Sequence, residues 1–124
     1  MRLTWSKIAD CDATKNASRV LYVWARGGRV RYVGRAKNFG GAGGRYAFGY
    51  QYLVHLLLES RFTLYISQNL SPQQWAKVED IERTLIKTFE KERQNLENKR
   101  RPEPRNKIRL SFGRPWKIDE LTRR

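Results

Sequence analysis

Four residues stand out for the chemistry their types allow. Tyr22 and Tyr32 lie in two short β-branched and aromatic runs, "VLYVWAR" and "RVRYVGR", either side of a Gly-Gly pair. Arg45 ends the glycine-loaded stretch "KNFGGAGGR". Glu82 sits in a segment with helical apolar spacing. At 100° per residue it falls inside the arc of Val78, Leu85 and Phe89, whereas Glu79, Asp80 and Glu90 fall at its edge or outside. A carboxylate on a core-facing stripe needs a compensating cation, because an unpaired buried charge is very costly. It is therefore an ion-pair partner for an arginine, a metal ligand or a general base.

Parity constrains the tyrosines. They share a sheet face only if the turn between their strands has an odd number of residues. A three-residue loop, Arg26-Gly27-Gly28, sets them directly opposite one another, and a two-residue Gly-Gly turn sends them to opposite faces. Both turns fit the sequence, and ordinary packing is the plain role for either ring.

The surrounding composition narrows the partners. Lys and Arg number 26 against 12 Asp and Glu, a net charge of +14 on 124 residues. Such a field points to a polyanion, nucleic acid first and an anionic membrane surface second. The longest apolar run, "YLVHLLL", is far short of a membrane span and contains a histidine. The opening residues lack the apolar centre of a signal peptide, so a cytoplasmic location is expected. The single Cys11 cannot form an internal disulfide, and with His55 it is too sparse for a protein-only zinc site.

Elements follow from local patterns. The two runs around Gly27 read as a hairpin, the glycine stretch as a loop, and residues 45–60 as a helix with Tyr46, Tyr50, Leu53, Val54 and Leu57 on one face and His55 opposite. "RFTLYIS" is a third strand. "SPQQW" starts a second helix with Ser71 as N-cap, Pro72 in the first position and Gln74 completing a capping box. Trp75, Val78, Ile81, Leu85, Ile86 and Phe89 carry that helix to about residue 94. No internal repeat is present. The spacing predicts one α/β domain with a small, three-stranded, mainly antiparallel sheet flanked by helices.

In this order the pieces resemble the GIY-YIG nuclease domain. Val20-Leu21-Tyr22 or Leu21-Tyr22-Val23 stands at the GIY element, Tyr32-Val33-Gly34 at the YIG element, and Gly34-Arg35-Ala36-Lys37-Asn38-Phe39 is similar to the usual continuation. Arg45 matches the arginine of the first helix, and "ERTLI" at 82–86 the pattern whose glutamate binds metal. The resemblance covers roughly residues 20–98. It implies a DNA endonuclease with one divalent ion, Mg²⁺ first and Mn²⁺ as the alternative, held by Glu82 as a Lewis acid beside the scissile phosphate. Arg45 then binds nonbridging oxygens, and Tyr22 or Tyr32 positions or deprotonates the water. A phenol in that role must titrate well below about 10, and Arg35, Lys37 and Arg45 offer the positive field.

Departures from the pattern are specific. The first element lacks Gly and Ile before its tyrosine. Gly49 stands where the family places His or Tyr, leaving Tyr50 or Tyr46 to substitute. Arg35 replaces a frequent lysine and cannot carry a proton. The asparagine after the metal-binding helix is Asn95 or Asn98, with Asn95 preferred. These departures keep two other readings open, a noncatalytic nucleic-acid-binding protein and a degenerate binding module. The expected layout is an arm over 1–19, the nuclease-like domain over 20–98, and a basic extension over 99–124. Phosphate contacts are expected from Arg26, Arg29 and Arg31 in the hairpin and from Lys99, Arg100, Arg101 and Arg105 in the extension. The extension should order on the domain through Ile108, Leu110, Phe112 and Trp116. Nothing in the sequence specifies a homodimer.

Overall fold

In the computed structural model, residues 1–8, 16–27, 29–39, 57–91, 96–98 and 101–113 are described. The strands are β1 (Arg2–Ile8), β2 (Ser18–Arg26), β3 (Arg29–Asn38), β4 (Thr63–Ser67) and the short β5 (Ser111–Gly113). Two helical segments, α1 (Pro72–Trp75) and α2 (Val78–Lys91), follow β4. All five strands join one sheet in the order β3-β2-β4-β1-β5. The first four are antiparallel to their neighbours, and β5 runs parallel to β1.

The α/β class expected from the spacing therefore holds, but among the described residues the sheet has five strands rather than three. "RLTWSKI", within the stretch assigned to an arm, forms β1 because Leu3 and Trp5 alternate onto one face and are both 0% exposed. The fifth strand comes from the basic extension, whose residues 111–113 pair with residues 2–4.

Alternation gives the sheet two apolar faces. Leu3, Trp5, Leu21, Val23, Val33 and Tyr65 face α2, which returns Val78, Ile81, Leu85, Ile86 and Phe89. Burying those five helix side chains supplies roughly 1.5–3 kcal/mol each before the entropy of ordering. On the other face Ile8, Val20, Tyr22, Trp24, Ala36, Phe39, Leu64 and Ile66 pack with Leu57, Leu58 and Phe62.

Both helix signals act locally as read. The Ser71 hydroxyl accepts from Gln74 N (3.1 Å), and Gln74 Oε1 accepts from Ser71 N (2.9 Å). The single helix expected from 71 to 94 is instead broken at 76–77, where Lys77 N bonds the carbonyl of Gln74 three residues back. Of the helix expected over 45–60, only 57–60 lie among the described residues, and 57–59 are helical. That turn ends in a Schellman arrangement: Phe62 N reaches Leu57 O, Arg61 N reaches Leu58 O, and Arg61 takes φ 66°.

Residues 101–113 cross α2 and are tied to it. Glu103 pairs with Lys87 (3.3 Å), Arg101 with Glu90 (3.9 Å), and Ile108 and Leu110 pack on the core. Trp116 and the Phe112 side chain lie outside the described residues. Asp80 anchors the crossing by accepting from Arg105 N (2.8 Å) and Asn106 Nδ2 (3.1 Å). Those bonds, the Asn106 side chain foremost, hold the Asp80 carboxyl below its ordinary range, aided by Arg83. A depressed folded-state pKa contributes stability above the unfolded value of about 4, lost as pH falls through the folded value. Amide exchange at Arg105 and Asn106, corrected for intrinsic rates, should stay slow from pH 7 to about 4 and accelerate below it. In Asp80→Ala, which removes the acceptor, it should be fast throughout. Equal protection in parent and variant would remove Asp80 as the anchor.

Candidate active site

The hairpin reaches the expected placement by an unexpected route. Arg26 pairs with Arg29, so two residues close the turn, with Gly27 at φ 62°. In a regular ladder that turn would separate the tyrosines. The register shifts, however: Ala25 pairs with Val30 and Trp24 with Tyr32, leaving Arg31 as an extra residue on β3. This bulge restores parity. Tyr22 and Tyr32 share a face as diagonal neighbours, with ring centroids 6.1 Å apart and planes tilted by 31°.

Tyr22 pairs with Gly34 across the strands, and its ring lies over that glycine. A Cβ at position 34 would overlap Cζ, Oη and Cε1 of Tyr22. Phe39 closes the other side edge-on at 5.1 Å, leaving Tyr22 1% exposed and Tyr32 half-buried. Tyr32 is thus the phenol with access to solvent.

Glu82, expected to converge with Arg45 on the tyrosine face, does not join them there. Arg35 pairs with Leu21 and so belongs to the α2 side, where its Nε lies 4.0 Å from Glu82 Oε1. The side chains are 38% and 20% exposed, and the arginine partner foreseen for this acid is Arg35. The cause of the separation is packing: α2 sits on the Leu21–Val23–Val33 face, opposite the tyrosines. Because β3 is an edge strand, Tyr32 and Arg35 nevertheless flank one border of the sheet, about 10 Å apart along the strand. Lys37 is exposed and alternates onto the Arg35 side.

The border is partly covered. Asn98 donates from Nδ2 to Val33 O (2.8 Å) and accepts at Oδ1 from Val33 N (3.0 Å), imitating a paired strand, and Glu97 N donates to Arg31 O (2.6 Å). Asn98 thus lies between Tyr32 and Arg35. The sequence offered it as the lesser of two asparagines, with no signal for its role on the backbone.

Comparison with protein-family models, curated proteins and solved structures finds no match.

Of the remaining candidates, Arg45, Tyr50, Asn95, Lys99 and Arg100 lie outside the described residues, as do Tyr46, Gly49, Cys11 and His55. Arg26 is exposed at the hairpin tip with its guanidinium 5.4 Å from the Phe62 ring centre, and Arg29 is exposed beside it. Arg31 pairs with Glu97, and its Nε is buried with no hydrogen-bond partner among the described residues. Arg101 is engaged with Glu90 and Asn98 O, whereas the Arg105 side chain is exposed.

The donor set suits some ions better than others. Among the described residues no three His, Cys, Asp or Glu side chains group together. Glu82 offers one partly exposed carboxylate in a loose pair, compatible with Mg²⁺, which keeps several waters and uses one or two carboxylates plus substrate phosphate. Among the described residues, no helix is long and apolar enough to cross a membrane.

Proposed function

We propose that the chain is a metal-dependent DNA endonuclease of the GIY-YIG kind, acting at the β3 border of its sheet inside the cell. The observation that carries this reading is the register of the hairpin. Tyr22 lies over Gly34 with Tyr32 beside it on one face, as one packed unit, and Glu82 reaches the same strand at Arg35. In this assignment Tyr22 is a packing residue, and Tyr32 holds or takes the proton of the attacking water. Arg35 binds a nonbridging phosphate oxygen, and Arg45 remains the candidate for a second cation there. Glu82 would hold a Mg²⁺-class ion, which when bound supplies Lewis acidity at a phosphate oxygen. Hairpin arginines Arg26 and Arg29, with Arg105, position the duplex backbone without reading sequence.

One observation favours a noncatalytic nucleic-acid-binding domain instead: Glu82 already has Arg35 as a partner, on the face away from both phenols. Supercoiled plasmid separates the two readings. The nuclease should convert it to nicked or linear forms with Mg²⁺ and not with EDTA, and Tyr32→Phe should slow conversion by about 10²-fold or more. Retarded but intact plasmid under both conditions would establish the binding domain.

A further inference from the structure

The flank of α2 away from β3 carries a second concave feature. Gln73 and Gln74 of α1, the break that follows them, the first turn of α2, residues 107–109 and Met1 enclose a groove of about 350 Å³. It lies toward β1 and β5, at the other border of the sheet from Arg35 and Glu82. The half-buried Ile108 and Met1, packed over the buried Ile81, give it an apolar floor, and the exposed Lys77, Lys107 and Arg109 line its rim. No carboxylate lines it among the described residues. Its wall is fixed by the Asp80 bonds to residues 105–106 and by Ser111 N donating to Met1 O (2.9 Å).

Three cations without an acid select an anion, and the apolar floor selects one with a flat apolar body. A stacked duplex satisfies only the first condition, because it presents a convex phosphate ridge and keeps its bases inside. A nucleotide released from stacking satisfies both. The volume is at the small end of the range of ligand pockets, about 300–1,000 Å³, enough for one such unit. We infer that this groove takes one nucleotide of a single-stranded nucleic acid, its phosphates on the rim cations and its base against Ile108 and Met1. The inference is independent of cleavage at β3 and is tested without it.

Fluorescence anisotropy of labelled dT12 with the full chain in EDTA, at several KCl concentrations, reads the effect. Lys77→Gln/Lys107→Gln is compared with Lys7→Gln/Lys91→Gln, which removes the same charge from exposed positions elsewhere. The groove variant should lose roughly tenfold in affinity and about 1.4 units of salt slope, and the control less than about threefold. Blunt duplex should discriminate the two variants far less, and dTMP should displace dT12 better than inorganic phosphate does. Equal losses in the two double variants, equal discrimination on duplex, or phosphate competing as well as dTMP would each overturn the assignment. Arg109→Gln, with a slope change of about 0.7, gives the same comparison if the groove double variant melts early.

Discussion

Glu82→Ala should abolish Mg²⁺-dependent nicking of plasmid, by about 10²–10³-fold or more, while the protein stays folded and binds DNA as well or better. Loss of a Lewis-acid site costs several kcal/mol of transition-state stabilisation, and each 1.4 kcal/mol is tenfold in rate. Affinity holds because the substitution removes a negative charge and frees Arg35 for phosphate. Magnitudes also separate this outcome from a purely structural role. An ion pair at 4.0 Å between side chains 38% and 20% exposed contributes only about 0–1 kcal/mol. Loss of that pair alone should therefore move the melting temperature by no more than a few degrees. A folded Glu82→Ala protein that nicks plasmid at the parent rate would end the metal assignment.

Gly34→Ala should be the most damaging single methyl addition in the sheet. The new Cβ would meet the Tyr22 ring, which cannot swing aside because Phe39 and Tyr32 pack against it. Overpacking of this kind costs about 1–3 kcal/mol, and displacing a buried aromatic puts the value at the upper end, roughly 10 °C in melting temperature. The diagnostic is non-additivity. In a Tyr22→Ala background, itself destabilised by several kcal/mol, the same Gly34→Ala change should cost little. Additive losses would mean that the glycine is needed for some other reason.

Legibility in the sequence followed the range of each interaction. The Ser71 cap, the apolar stripe of α2 and the long strands were readable because a residue and its neighbours within four positions specify them. The strand β1 was also written in the alternation of Leu3 and Trp5, but Lys7 interrupts the pattern and short spacing alone did not promote it. The bulge at Arg31 was not readable, since it depends on how β3 must meet a β2 already held by β4. Nor was the side on which Glu82 would emerge. Helical spacing put it at the core-facing stripe, and an arginine, Arg35, one of the partners open to it, stands beside it. Which face of the sheet α2 covers, however, is settled by the fit of Leu21, Val23 and Val33 against Ile81, Leu85 and Phe89.

The pairing of β5 with β1 joins Arg2 to Ser111, among the most distant contacts this chain can make. Closing a loop of that length is entropically costly before any contact compensates it, and such topologies fold slowly. During vectorial synthesis β1 emerges long before its β5 partner, leaving one border of an apolar strand carrying Leu3 and Trp5 without that partner. Such an open border is a template for pairing with another chain. Completion of the sheet is thus a late event in the life of the nascent chain, and the basic extension that crosses α2 is the piece that ends this exposure.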